Sequence, residues 1–234
     1  MAPVTEFVAL PVNPDSAPDV VAAVIKENIQ TLLAQPGCQR VRQSRVHEEP
    51  SKLRLFADWA SIEAHRAFAA NSAAYGSFQQ RMRPVVDVAS FGPSNPRRPP
   101  FHIAFAAHPP SVLDGGASPV AEVFQAYFAP DVSDEARAKV EATVTAFLRK
   151  LEAETEGGLT GESALGWSVE TDVLFKGEPS RVFVAAIGWT SIEAHMRVCD
   201  TEAFQTNISM VRTLEGMKGR EFCHVSNTTI ESSN

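Results

Sequence analysis

Trp59-Ala60-Ser61-Ile62-Glu63-Ala64-His65-Arg66 is answered later in the chain by Trp189-Thr190-Ser191-Ile192-Glu193-Ala194-His195-Met196. Six of the eight positions agree, at an offset of 189 − 59 = 130 residues. That spacing is too long for a solenoid repeat and close to the size of a small domain, so the chain reads as a duplication. Val4-Thr5-Glu6-Phe7 resembles Val120-Ala121-Glu122-Val123, and Pro14-Asp15 resembles Pro130-Asp131, both at an offset of 116. The second copy has therefore gained 130 − 116 = 14 residues between its first strand and its Trp. Insertions of this kind collect in loops and helix ends and leave a shared core.

A chain of 234 residues with 44% hydrophobic content can bury a core without covalent staples. The net charge is −7 and the 21 Lys and Arg are scattered, so the sequence offers no basic face for a phosphate backbone and nucleic acid is not expected as a partner. Cys38, Cys199 and Cys223 are odd in number and lack CxxC or His-linked metal spacing. They read as reduced thiols of a cytoplasmic protein. No charged N-terminal leader with an apolar run is visible, and no stretch approaches the roughly 20 apolar residues of a membrane span.

Residues 4–12 read as a strand, and residues 17–34 as an amphipathic helix with apolar residues recurring at Val20, Val21, Val24, Ile25, Ile29, Leu32 and Leu33, stopped by Pro36-Gly37. Residues 38–48 and 53–59 read as antiparallel strands joined at Glu49-Pro50-Ser51. Ser61 is a candidate N-cap with Glu63 in the first turn, and in the second copy Thr190 and Glu193 fit a capping box. A helix over 73–83 ending at Pro84 and a last strand over 85–91 complete β-α-β-β-α-β. The first repeat is placed at 1–92 and a proline-rich linker at 93–118, its core GPSNPRRPP at 92–100, with an extra strand near 101–107. The second repeat occupies 119–228: strand 120–129, helix 133–154, strands 162–171 and 181–189, helices 191–199 and 202–216, strand 220–227. Residues 229–234 are expected to fray.

This order predicts an α+β fold of two ferredoxin-like repeats, each a four-stranded antiparallel sheet with helices on one face. The bare faces can cover one another to make an intramolecular dimeric α+β barrel. A strand ending in Trp, followed by Ser-Ile-Glu-Ala-His and an aromatic such as Tyr75 or Phe204, resembles the antibiotic biosynthesis monooxygenase group of the dimeric α+β barrel superfamily. Tandem forms of this kind are similar to proteins of polyketide and other secondary-metabolite pathways. The resemblance implies an enzyme that oxygenates, cyclises or isomerises an aromatic or polycyclic substrate, with no cofactor. The alternative is a ligand-binding or interaction protein of the same fold without turnover. Pairing of the two-repeat chain into a homodimer stays open.

His65 and His195 are the candidate proton-transfer residues. Ile62, His65 and Ala69, like Ile192, His195 and Cys199, share a helix face, so each His points between helix and sheet, where a neutral imidazole can accept a proton near neutral pH. The competing account makes both of them structural tethers bonded to backbone groups. Trp59, Tyr75, Trp167, Trp189 and Phe204 are candidates to line a substrate cleft, although an indole at the end of a core strand also serves as an apolar plug with a polar tip. In relatives of the resembled fold that bind haem, the ligand His falls at about the position of Ala69 or Cys199, and neither repeat has His there, so haem is disfavoured, with a lone His65 ligand left open. No metal is expected, since His47, His102, His108 and His224 stand isolated in the sequence. No phosphate-binding glycine loop or nucleophile elbow occurs. Arg81, Arg83 and Arg212 are candidate anchors for an anionic or phenolate substrate.

Overall fold

The structure is a computed structural model that describes residues 2–91 and 99–231. Two compact units are present: one holds the described residues up to Ala104 together with Thr228–Glu231, the other Phe105–Asn227.

In the first unit, β1 (Val4–Pro11), α1 (Pro18–Leu33), β2 (Cys38–Val46), β3 (Lys52–Trp59), α2 (Ile62–Ala70), α3 (Ser72–Met82) and β4 (Phe101–Phe105) follow in sequence. The strands pair antiparallel in the order β2-β3-β1-β4. α1 begins with Pro18 in its first turn, where the missing N–H is no loss, and buries Ile25, Ile29 and Leu32 on the sheet. Gly37, at φ 88, turns the chain into β2, and a Cβ there would sit 2.7 Å from the Cβ of Ala64. The repeated signature thus packs its helix directly on this glycine.

Register decides which side chains meet. Glu6 lies opposite Ala57 on one side and His102 on the other, and Val4 lies opposite Trp59. Alternation therefore sends Glu6, Val8, Leu10, Leu55, Ala57, Trp59 and His102 to the helix-covered face. Thr5, Phe7, Phe56 and Asp58 point the other way. Asp58 and Arg42 are fully buried there, with Arg42 Nη1 donating to Asp58 Oδ2 at 2.9 Å and Thr5 Oγ1 to Oδ1 at 2.7 Å.

The second unit runs β5 (Val120–Phe128), α4 (Asp134–Glu154), β6 (Leu159–Ser168), β7 (Val173–Phe175), β8 (Glu178–Trp189), α5 (Ile192–Cys199), α6 (Glu202–Asn207), α7 (Ser209–Arg212) and β9 (Gly219–Glu231), whose residues from Thr228 on belong to the first unit. Its main strands are ordered β6-β8-β5-β9, again antiparallel. Counting each unit's four main strands from its start, both sheets have the order 2-3-1-4. β7 folds onto β8 through a tight turn at Lys176 and Gly177, both with positive φ.

Several sequence expectations are corrected. Residues 85–91 do not supply the last strand of the first unit. They make one bridge, Val12 to Val86, and a 3₁₀ turn at Val88–Ser90, in which the Asp87 carboxylate accepts from Ser90 N–H. The fourth strand is β4, the segment taken as an extra strand of the linker. It alternates apolar residues with His102 and pairs with β1, so the first unit runs past the expected boundary at 92. Residues 92–98 of the proline-rich stretch lie outside the described residues. The cap of α5 is Ser191, whose hydroxyl accepts from Ala194 N–H, rather than Thr190. The hairpin strand β7 was not foreseen. β9 runs through Glu231, where the carboxylate meets Arg40 at 2.7 Å, so the expected fraying is not seen at 229–231, and 232–234 lie outside the described residues. Among the described residues no helix is long and apolar enough to cross a membrane.

Cys38 gives one testable consequence of this packing. Burial first, and then the Glu6 and Asp58 carboxylates, push its thiol from 9.0 up to about 12. The folded state therefore holds the proton that the unfolded chain releases above pH ~9, so stability falls as pH rises through the window from 9 to about 12. Urea denaturation of wild type and Cys38→Ala across pH 8 to 10.5 should show a shallower alkaline loss in the variant; parallel slopes would exclude this thiol as the cause.

Candidate functional site

In the first unit the signature places its His by capping. Ser61 Oγ accepts from Ala64 N–H at 3.3 Å, starting α2 immediately after β3 and turning His65 back toward the sheet. Trp59, fully buried at the end of β3, donates from Nε1 to Glu6 Oε2 at 3.0 Å. Glu6 Oε1 lies 3.5 Å from His65 Nε2, and His65 Nδ1 is 2.7 Å from His102 Nε2. The indole of Trp59 packs on the His65 ring at 5.1 Å. The result is a continuous polar chain, Trp59–Glu6–His65–His102, drawn from β3, β1, α2 and β4. Glu6 is only 5% exposed, and a carboxylate taken that far from water needs the donors it has here.

The second unit repeats the chain from its own strands and helix. Trp189 Nε1 donates to Glu122 Oε2 at 3.2 Å, Glu122 Oε2 lies 3.6 Å from His195 Nε2, and His195 Nδ1 is 2.7 Å from His224 Nε2. Trp189 and His195 stack at 4.1 Å. One difference is a thiol: Cys199 Sγ lies 3.2 Å from His195 Nε2, where the first unit has Ala69. Burial, followed by the nearby Glu122 carboxylate, pushes that thiol up to about 11, so it stays protonated and is no nucleophile at neutral pH.

What separates the two chains is the space above them. In the first unit a cavity of about 600 Å³ lies between the sheet and the helices. Glu6 and His65 line it, with Leu55, Ala57, Phe68, Tyr75 and Met82 among its walls. Phe68 and Tyr75 meet edge to face at 5.3 Å, and Tyr75 stacks on Phe78 at 6.0 Å, forming an aromatic wall. At the matching registers the second unit has Phe124 in place of Val8 and Ile187 in place of Ala57. Both are built into its core with Phe147, Val198 and Phe204. A cavity of about 590 Å³ in that unit is lined by Phe128, Val140, Leu214 and neighbours, and by neither Glu122 nor His195.

Of the residues singled out in the sequence, His65 and Tyr75 come together on the cavity, and Trp59 stands behind Glu6. His195 and Trp189 belong to the second chain. Trp167 packs against Phe128 and Phe183 at 5.1 and 5.2 Å, and Phe204 lies edge-on to Phe147 at 6.1 Å, both within the second unit's core. Sequence reasoning missed Glu6, Glu122, His102 and His224. The signal for the carboxylates was present in the alignment of Val4-Thr5-Glu6 with Val120-Ala121-Glu122, where Glu is a shared polar residue inside an apolar strand. His102 and His224, isolated in the sequence, are brought by β4 and β9 directly opposite those glutamates. Each Glu-His-His set offers donor atoms within 4.8 Å of one another, compact enough for a metal ion. Arg81 is committed to Asn28, Thr31 and Glu27, whereas Arg83 lines the cavity.

Residues 3–81 match the antibiotic biosynthesis monooxygenase family. No curated protein matches the chain in sequence. Among solved structures, an anthrone oxidase-like protein superposes with a TM-score of 0.67 at 12% identity, covering 100% of this chain and 95% of that one. A "putative monooxygenase" from Lactobacillus acidophilus NCFM gives 0.56 at 11% identity, covering 99% and 97%. One from Fusobacterium nucleatum gives 0.57 at 10% identity, covering 100% and 95%. At these identities the likeness is one of fold.

Proposed function

We propose that this protein is a small-molecule oxygenase whose reacting site is the cavity of the first unit, a reading supported by the match of residues 3–81 to the antibiotic biosynthesis monooxygenase family. The observation that carries this reading is the opening of a 600 Å³, mainly apolar space onto the buried Glu6–His65–His102 chain. The two units are taken as copies of one ancestral module, of which the first keeps room for a substrate. The second uses its own chain for packing.

The substrate that suits the site is a fused-ring aromatic with an acidic C–H, of the anthrone type. His65 accepts the proton from that carbon. Glu6, 3.5 Å from His65 Nε2, stabilises the imidazolium that forms, and His102 fixes the ring through Nδ1. The resulting carbanion is electron-rich enough to reduce dioxygen, forming a C–O bond, and the His65 imidazolium returns its proton to the peroxide oxygen to give a hydroperoxide. Loss of water then leaves a carbonyl, so one CH₂ and one O₂ become one C=O and one H₂O. The apolar walls hold the ring in place and limit water, and enclosure and orientation of this kind supply part of the rate. No cofactor enters this route. It assigns the protein to the tailoring of aromatic secondary metabolites.

The test is oxygen uptake with anthrone as the probe. Stoichiometric conversion to anthraquinone is expected, abolished without oxygen. Turnover of a related substrate under argon would point instead to cyclisation or isomerisation in the same cavity. Filling the cavity provides a control: Ala57→Phe, which brings bulk to the register where the second unit carries Ile187, should lower activity at least tenfold while the far-ultraviolet spectrum stays unchanged.

The donor set itself favours a second reading. Two histidines and one carboxylate are the ligands of many non-haem iron oxygenases, and Glu6, His65 and His102 fit that set in type and proximity. Activity that rises with added Fe²⁺ and disappears with a chelator would select this reading over the metal-free one.

A further inference from the structure

The cavity has a long axis with different chemistry at its two ends. Glu6, Val8 and Leu10 lie along one side of β1, so the inner end at Glu6 and the far end at Leu10 are about 13 Å apart at ~3.3 Å per residue. The segment after α3 docks at that far end: Val12 bridges Val86, Asn13 N–H donates to Val85 O at 2.9 Å, and Asp87 N–H to Pro11 O at 3.0 Å. Arg83, the C-cap residue of α3, lines the cavity close to this docking. Its side chain is exposed, and its guanidinium has no hydrogen-bond or ion-pair partner among the described residues. Glu6 is the one carboxylate among the described lining residues, and it belongs to the opposite end. The walls between are mainly apolar and aromatic, with Gln79 and Gln80 among the lining residues.

We propose that the cavity takes an elongate aromatic acid, whose carboxylate is held by Arg83 at the far end while the reacting ring carbon lies against His65. This rests on the reading of the cavity as the substrate site and adds the substrate's polarity. A carboxylate meets a guanidinium with two parallel N–H···O bonds, which fixes direction as well as position. A planar acid of three fused rings spans the distance, so one charged contact decides which end of the molecule reaches the base. Arg83 is thus a specificity-determining residue, and Arg81, tied to α1, is not.

The probes are anthraquinone-2-carboxylate and its neutral carboxamide, titrated calorimetrically into wild type, Arg83→Gln and Arg83→Lys, with Ala57→Phe as a cavity control. Wild type should bind the carboxylate about tenfold more tightly than the carboxamide, a preference that weakens with added salt because the contact is partly solvated. Arg83→Gln should abolish the preference, costing the carboxylate far more affinity than the carboxamide, and Arg83→Lys should keep part of it. Ala57→Phe should weaken both probes. Equal affinity of wild type for the two probes, or a preference that survives in Arg83→Gln, overturns the assignment and leaves the cavity reading standing. Failure of both probes to bind overturns the two together.

Discussion

His65→Ala is expected to lower kcat for oxygenation by about 10²- to 10⁴-fold, the range over which a positioned general base contributes. Glu6→Gln should fall in the lower part of that range, because it keeps an acceptor for Trp59 Nε1 and removes only the charge that faces the imidazole. His195→Ala breaks an equivalent chain, with the same 2.7 Å contact to a strand His, yet it should leave kcat within about twofold. The contrast discriminates where either substitution alone does not. A purely structural role for the histidines predicts similar losses of stability in both units and no selective loss of turnover. Thermal unfolding of each variant, measured beside the kinetics, separates the two accounts.

The largest stability effect is expected at Asp58. Both it and Arg42 are fully buried, at 2.9 Å, and Thr5 supplies a second donor to the carboxylate. Asp58→Ala leaves the guanidinium of Arg42 without its buried counter-ion, which should cost about 3–5 kcal/mol. Replacing both partners by apolar residues, Asp58→Leu with Arg42→Met, should recover most of that loss, because desolvation of the pair roughly cancels its attraction. Denaturant midpoints for wild type, Asp58→Leu, Arg42→Met and the double variant make a complete cycle. A loss below about 1 kcal/mol in Asp58→Ala would mean that water reaches Arg42 and the network is looser than its burial implies.

The sequence made the helices and the Trp-to-His signature legible because these depend on local chemistry: an N-cap serine, a helical stripe, a strand ending at an indole. Placing His65 and His195 between helix and sheet followed from that periodicity alone. The rest of the site depends on register. Glu6 and His102 stand 102 − 6 = 96 residues apart and meet only because β4 pairs with β1, a long-range contact with no local signature. Residues 85–91 misled for the converse reason. Val85, Val86 and Val88 have strand-like character, but Asp87 prefers to cap a turn, and β1 already has β4 on that edge. The difference between the units was equally hidden. Val8 against Phe124 and Ala57 against Ile187 look like ordinary core variation until their registers place them over the two Glu-His-His chains.

The most direct measurement is a crystal structure of the protein soaked with anthraquinone-2-carboxylate. The account predicts the ring system between the sheet and the helices of the first unit, one of its central-ring carbonyl oxygens within hydrogen-bonding reach of His65 and its carboxylate at Arg83. A ligand seated instead in the second unit, or a first-unit cavity that stays empty while the compound binds elsewhere, would contradict the assignment of the active site.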